Sequence, residues 1–508
     1  MSVSLAAVLA ESAARYPDRP AVVFESRKTS YRELWWWARK YAAVLRDHGI
    51  GRGDRVALLL PNSPHLPMAY FGVLALGAVV VPVHALSKAD EIEHVLRDSG
   101  AAALVCAGSL LEQGGEAARR AGVPVFTVVA DDGLRLDVAA GPAAPIERYA
   151  PCAPDDAAMV LYTSGTTGKP KGAVLTHLGV TMNITVTMLS PFDFRADDVL
   201  LGALPLFHIF GQVCGMCVCF RAGATLVLMP AFDAARAIEL MAEHRCTVFM
   251  GVPTMYMALL RAMGTATVRP RLHRAYSGGQ ALPVKVLEDF EDRFGCPVYE
   301  GYGLTETSPV VAYNQPAWPR KPGTVGLPVW GVEVAIARAD VDGRVELLPA
   351  GEVGEVVIRG HNVMAGYLNR PEATAEVLVD GWFRSGDLGR KDEDGYLSIV
   401  DRKKDVVLRG GYNVYPREVE EVLMRHPAVA QVAVIGVPHP THGEEVCAVV
   451  LPAPGARPGA DLGVEIETWS KARMAPYKYP RRVEFVDGFP LGVGGKVLKR
   501  ELVARFAR

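Results

Sequence analysis

An α/β fold in two unequal parts is what this sequence predicts, and three features carry the prediction. Amphipathic helical stretches alternate with short apolar strands through the first 300 or so residues, the rhythm of parallel βαβ units. From about Lys321 the texture changes: Gly and Pro become frequent and the strands shorten, as in a β-rich subdomain. At Asp401 a charged run ending in glycines, "DRKKDVVLRGG", leads into about 100 further residues, enough for a small α+β domain. The expected architecture is a large N-terminal part over 1–400, built from α/β subdomains and a β-rich one, and a small C-terminal α+β domain over 401–508.

The elements follow in order. The opening "MSVSLAAVLAESAARYPDRP" lacks cations before its apolar run, and Glu11 interrupts that run, so it reads as an amphipathic helix and not as a signal peptide. "YRELWWWARKYAAVLRDHGI" is helical and ends at Gly49 and Gly51; Trp35, Trp36 and Trp37 span too much of the helix for all three rings to be buried on one face. "RVALLL" reads as a strand, "HLPMAYFGVLALG" as a helix, "AVVVPV" as a buried strand rather than part of a membrane span, "ADEIEHVLRDSG" as a helix and "AALVCA" as a strand. The pattern resumes with the strands "VLLGALP" and "GATLVLM" and the helix "DAARAIELMAEHR". "VEVAIAR", "GEVVIRG" and "GYLSIVD" are the short strands of the β-rich stretch. Beyond the charged run, "YPREVEEVLMRHPAV" is helical and "AQVAVIGVP" is a strand.

Composition excludes some classes. Half of the 508 residues are hydrophobic, which supports large cores, and a net charge of -2 gives no basic bias towards nucleic acid. The 8 cysteines are scattered without disulfide-framework spacing, as in a reduced, cytoplasmic protein. "CGMCVC", from Cys214 to Cys219, sits in an apolar run with no second Cys/His pair nearby, so these cysteines read as small buried hydrophobes rather than metal ligands.

One stretch asks for chemistry. "YTSGTTGKPKG", Tyr162 to Gly172, lies between the apolar "AAMVL" and "AVLTH" and reads as a turn joining two strands. Its backbone N–H groups, its hydroxyls and Lys169 or Lys171 could hold phosphate. It is not a Walker loop: Thr163 stands where the first Gly belongs, and Pro170 stands where Ser or Thr should follow Lys169. Further candidates are "SGGQALP" (a Gly turn opening a helix), "YEGYGLTETSP" and "RSGDLG" (two further turns) and "GFPLGVGGKVLKREL", which places Lys496 near the end.

In order and spacing these segments match one pattern. The chain resembles the adenylate-forming superfamily of acyl-CoA synthetases, acyl-adenylating carrier-loading domains and beetle luciferase, with fatty-acyl- and aryl-CoA ligases nearest, over about Leu5 to Leu502. The resemblance implies a mobile C-terminal lid and a two-step reaction. A carboxylate attacks the α-phosphorus of ATP, giving acyl-AMP and pyrophosphate, and coenzyme A thiol then displaces AMP. It implies that Thr163, Ser164, Gly165, Thr166, Thr167, Gly168 and Lys169 wrap the β- and γ-phosphates. Thr305 would bond the α-phosphate and Glu306 would hold Mg²⁺. Tyr302 would stack on adenine, with Gly279, Gln280, Ala281, Glu300 and Gly301 around the base, while Asp387, supported by Arg402, takes the ribose hydroxyls. Lys496 would bridge the acid carboxylate and the α-phosphate.

His208 in "LPLFHIFG" reads on its own as a core histidine; the resemblance places it beside the reacting carbonyl. The acyl wall it implies is Phe207, Gly211, Val252, Pro253, Tyr256, Ser277, Gly278 and Val310, with no cation, so the far end of the acid is expected to be apolar. Gly410 and Gly411 would border the pantetheine channel, Lys478 and Arg481 are candidates for CoA phosphate, and the hinge falls at Lys404. The expected partners are therefore a small carboxylic acid, ATP, Mg²⁺ and CoA, with an acyl-carrier protein as the alternative acceptor. One departure stands out: Gly494 and Gly495 precede Lys496 where relatives carry Ser or Thr. It motivates two alternatives, an enzyme of one half-reaction and a nucleotide-binding protein with impaired adenylation.

Overall fold

The computed structural model describes residues 3–129, 135–137, 144–163, 170–264, 266, 268–492 and 497–507. Among them, an eight-stranded and a nine-stranded sheet build most of the N-terminal part. In the first sheet, Val79–Pro82, Arg55–Leu59, Ala103–Ala107 and Val125–Val129 run parallel, as the βαβ rhythm predicts. Residue alternation divides its two faces. Val56 and Leu58 face the large core shared with the second sheet, while Ala57 and Leu59 face the helices Ala89–Ser99 and Leu111–Ala121. The helix His65–Ala75 is buried from Leu66 to Ala75, consistent with its being apolar all round.

Helix Tyr31–Asp47 begins where the Ser30 hydroxyl accepts from Glu33 N–H at 3.2 Å. Trp35 and Trp37 pack against the core and Trp36 is 40% exposed, so the three rings divide as the helical period requires. Cys214 and Cys217 lie in a buried π-helix, Phe210–Cys217, and Cys219 in the helix that continues it. All eight cysteines are free and buried, and burial pushes the Cys217 thiol up to about 12.

The β-rich stretch is an antiparallel sheet of Val332–Ala337, Gly354–Gly360, Trp382–Lys391 and Leu397–Arg402. Here one expectation is corrected. "RSGDLG" is not a turn: Asp387 lies inside the ten-residue strand Trp382–Lys391. The register slips between Glu355 and Val357 opposite it, and Gly386 has φ +72°, so the glycine marks a bulge through which the strand continues. "YEGYGLTETSP" is likewise mostly strand, Val298–Gly303; only Thr305–Thr307 turns, as one 3₁₀ helix.

The C-terminal part has hydrophobic clusters of its own. Val434, Val446 and Ala448 face helices Pro416–Leu423 and Ala460–Lys471; Ile435, Cys447 and Val449 face helix Lys499–Phe506. No helix among the described residues is long and apolar enough to cross a membrane.

Candidate active site

The site lies where the two parts meet, in a cleft of about 2330 Å³ lined by both. Its first wall is the hairpin Ala157–Thr163 and Lys171–Thr176, which carries the Gly-rich loop. Tyr162 anchors the incoming strand: its hydroxyl donates to Asp98 at 2.9 Å, and Arg370 holds Asp98 from the other side at 2.6 Å. Thr163 lines the cleft. Ser164, Gly165, Thr166, Thr167, Gly168 and Lys169 lie outside the described residues, as does Lys496.

The second wall is the strand Val298–Gly303 and the 3₁₀ turn after it. Gly301 admits the neighbouring strand closely, because a Cβ there would sit 2.1 Å from the Tyr313 ring. Glu300, Gly301, Tyr302, Thr305 and Glu306 line the cleft together with Gly279, Gln280 and Ala281. The Tyr302 hydroxyl donates to Asp387 Oδ2 at 2.6 Å, and Arg402 Nε lies 3.1 Å from Asp387 Oδ1. The three side chains predicted to serve base and ribose thus form one bonded group, joined across the strand pair Asp387–Arg402.

Glu300 is 2% exposed. Its Oε1 accepts from Leu282 N–H at 2.9 Å and its Oε2 has no partner. Burial raises its carboxyl from 4.5 to about 7, against the opposing pull of the Arg417 guanidinium and of Leu282 N–H. A carboxyl whose native value lies above its unfolded one costs stability as pH climbs between the two, and the loss is complete above the native value. At 1.36 kcal/mol per unit the full cost is about 3 kcal/mol. Glu300→Gln should therefore match or trail the parent in thermal unfolding at pH 5 and exceed it at pH 8; a gap independent of pH would refute the assignment.

The acyl side is lined by Phe207, His208, Gly211, Val252, Pro253, Gly278 and Val310. Phe210 N–H points to His208 Nδ1 at 3.3 Å, which leaves the ring proton of the neutral form on Nε2. Two predicted wall residues are corrected. Tyr256 is fully buried with its ring 5.3 Å from Phe249 and 4.7 Å from Phe290. On helix Pro253–Met263, Pro253 and Met257 share the cleft face at i and i+4, and Tyr256 falls on the adjacent core face. Ser277 is also fully buried, and only its carbonyl is engaged, accepting from the Tyr313 hydroxyl at 3.0 Å. Both back the wall instead of forming it.

Sequence reasoning missed several cleft residues. His84 stacks on Phe207 with ring centroids 4.2 Å apart. Phe210, Cys214, Met257 and Tyr313 complete the acyl side, and Tyr367 reaches Glu306. Of these only Phe210 had a signal, its place two residues after His208.

The C-terminal part closes the cleft with Lys404, Arg417, Glu420, Leu498 and Lys499. Lys404 is lowered by burial and then by Arg402 beside it. Lys499 pairs with Glu420 at 2.8 Å. The CoA candidates are not brought here. Gly410 and Gly411 form the turn between Val407–Arg409 and Tyr412–Val414; Lys478 pairs with Glu418 at 2.6 Å; Arg481 lies over the Tyr479 ring at 3.3 Å. None of the four lines the cleft.

Comparison with known proteins agrees with this geometry. Residues 9–368 match the model of the AMP-binding enzyme family and residues 418–496 that of the AMP-binding enzyme C-terminal domain. A long-chain-fatty-acid–CoA ligase of Bacillus subtilis is 34% identical over 98% of this chain and 94% of its own. A feruloyl-CoA synthase of Amycolatopsis is 39% identical over 96% of each. The crystal structure of ATP-bound MatB from Rhodopseudomonas palustris superposes with a TM-score of 0.90 at 33% identity, covering 100% of this chain and 99% of that one. By both domains and by similarity along nearly its whole length, the chain belongs to the AMP-binding enzymes, the adenylate-forming superfamily, among its ATP-dependent acyl-CoA ligases.

Proposed function

We propose that this enzyme activates an apolar carboxylic acid with ATP as acyl-AMP, releasing pyrophosphate, and then passes the acyl group to the thiol of coenzyme A, releasing AMP. The observation that carries the reading is the bonded group Tyr302–Asp387–Arg402 in the same cleft as Thr305 and Glu306, with an uncharged acyl wall beside it.

The first step brings a carboxylate to a triphosphate, so its barrier is like-charge repulsion, and fixed cations and N–H dipoles must offset it. In this reading Tyr302 stacks on adenine within Gly279, Gln280, Ala281 and Gly301, Asp387 accepts from the ribose hydroxyls, and Thr305 donates to the α-phosphate. Thr163 to Lys169 and Lys496 supply the remaining donors and charge. Glu306 fits Mg²⁺: it is a single carboxylate at the cleft, and this ion takes one or two carboxylates along with phosphate oxygens and water. When bound, the ion would offset charge on the transferring phosphates. His208 flanks the acyl carbonyl.

The second step needs a thiol path to the same carbonyl. Gly410, Gly411, Lys478 and Arg481 lie off the cleft, which supports a lid that turns about a hinge at Lys404, with the domain boundary at Asp401. Free CoA is the acceptor in this reading, with a carrier protein the alternative. A cytoplasmic location fits the eight free cysteines.

The test is isotope exchange. Labelled pyrophosphate should enter ATP only when a suitable apolar acid is present, and without any need for CoA. Exchange without acid, or none with any acid of a fatty and aryl panel, would reject adenylation.

A further inference from the structure

Glu306 is held by more than its own turn. Met364 N–H donates to the Glu306 carbonyl at 2.8 Å, and the Tyr367 hydroxyl donates to Glu306 Oε1 at 2.9 Å. Tyr367 is itself fixed. Its strand Gly366–Tyr367 pairs with Lys171–Thr176, the strand leaving the Gly-rich loop, with Tyr367 opposite Ala173. Its N–H donates to the Thr374 hydroxyl at 2.9 Å, Leu368 N–H donates to Gly172 O at 2.8 Å, and Lys171 Nζ lies 5.2 Å from the centre of the Tyr367 ring. One side chain therefore ties the exit of the loop to the carboxylate across the cleft. Nothing in its surroundings, "MAGYLNRPE", signals this.

We infer that Tyr367 is a positioning residue: it occupies Glu306 Oε1 and so presents Oε2 to the divalent cation that accompanies ATP. The inference rests on the nucleotide chemistry proposed above. A glutamate carboxylate rotates freely about its last bond, whereas Mg²⁺ demands near-ideal octahedral geometry. A donor fixed to one oxygen removes that freedom before the ion arrives. Burial, and then the Glu306 charge, raise the Tyr367 phenol, so it stays a donor at every working pH. Partners of this kind, bonded to a ligand and not to the ion, are typically worth a factor of about 10 to 100 in metal affinity.

The test measures Mn²⁺ binding by electron paramagnetic resonance, with α,β-methylene-ATP, which cannot be adenylated. Tyr367→Phe keeps the ring and its packing and removes only the hydroxyl. Its Mn²⁺ dissociation constant should rise about tenfold. In turnover, its Mg²⁺ requirement for acyl-AMP formation should rise by a similar factor, with kcat recovering at high Mg²⁺ and the KM for the acid unchanged. Transfer from supplied acyl-AMP to CoA should be unaffected. Mn²⁺ affinity within twofold of the parent, or equal loss of both half-reactions that Mg²⁺ does not rescue, would overturn the assignment. A parent enzyme that forms AMP with no acid would instead reject the proposed function, and the Mn²⁺ titration would still decide the role of Tyr367.

Discussion

Lys496→Ala is expected to lower acid-dependent acyl-AMP formation about 100- to 1000-fold while leaving CoA transfer from supplied acyl-AMP near the parent rate. The reason is electrostatic. Two anions must meet in the first step, and a cation placed between them acts most strongly where water is excluded. The second step joins a thiol to an already neutral acyl carbonyl and does not ask for that charge. The glycines at 494 and 495 sharpen the test, because a backbone with more freedom places the ammonium less firmly. A parent that already adenylates slowly but transfers quickly would favour the half-reaction alternative. Unchanged adenylation in Lys496→Ala would remove the lysine from the chemistry and leave the Gly-rich loop and Mg²⁺ to offset the charge.

Lys404→Pro should do the reverse, leaving acyl-AMP formation within about threefold and reducing thioester formation about 100-fold or more. In the present arrangement the Lys403 N–H donates to Gly386 O at 3.0 Å and the Asp405 N–H to Arg402 O at 2.9 Å. Among the described residues the Lys404 N–H donates no backbone hydrogen bond, so a ring there removes none. What proline removes is the freedom of φ, which a hinge must use. The glycine turn at Gly410–Gly411 would then stay away from the cleft. Single-turnover measurement of each half-reaction decides it, and equal loss of both steps would argue against rotation about this residue.

The sequence made the site legible where chemistry and local structure share one short segment. The Gly-rich turn between two strands could be read directly, because strand propensity on both sides and glycine between them are local facts. Tyr302, Thr305 and Glu306 could be placed together for the same reason. Asp387 was located in the right group but in the wrong element. A glycine within an alternating segment reads equally as a turn or a bulge, and only its pairing with Gly354–Gly360 decides. Tyr256 and Ser277 missed the cleft because the face each presents depends on where a helix or strand is seated, to within one residue of rotation. Tyr367 was invisible for a different reason: its partner Glu306 lies 61 residues away and is met only when the strand beside the Gly-rich loop is paired. The His84–Phe207 stack, across two subdomains, is of the same kind.

The central claim is the pairing of AMP-forming activation with thioester formation, and one assay reads it directly. The enzyme is incubated with ATP, Mg²⁺, CoA and each member of a panel of fatty and aryl acids, and the nucleotide, pyrophosphate and acyl-CoA products are quantified together. At least one apolar acid should yield AMP, pyrophosphate and acyl-CoA in equal amounts, with none of the three formed when the acid is left out. Formation of ADP and inorganic phosphate in their place, or of AMP without dependence on any acid, would contradict the account.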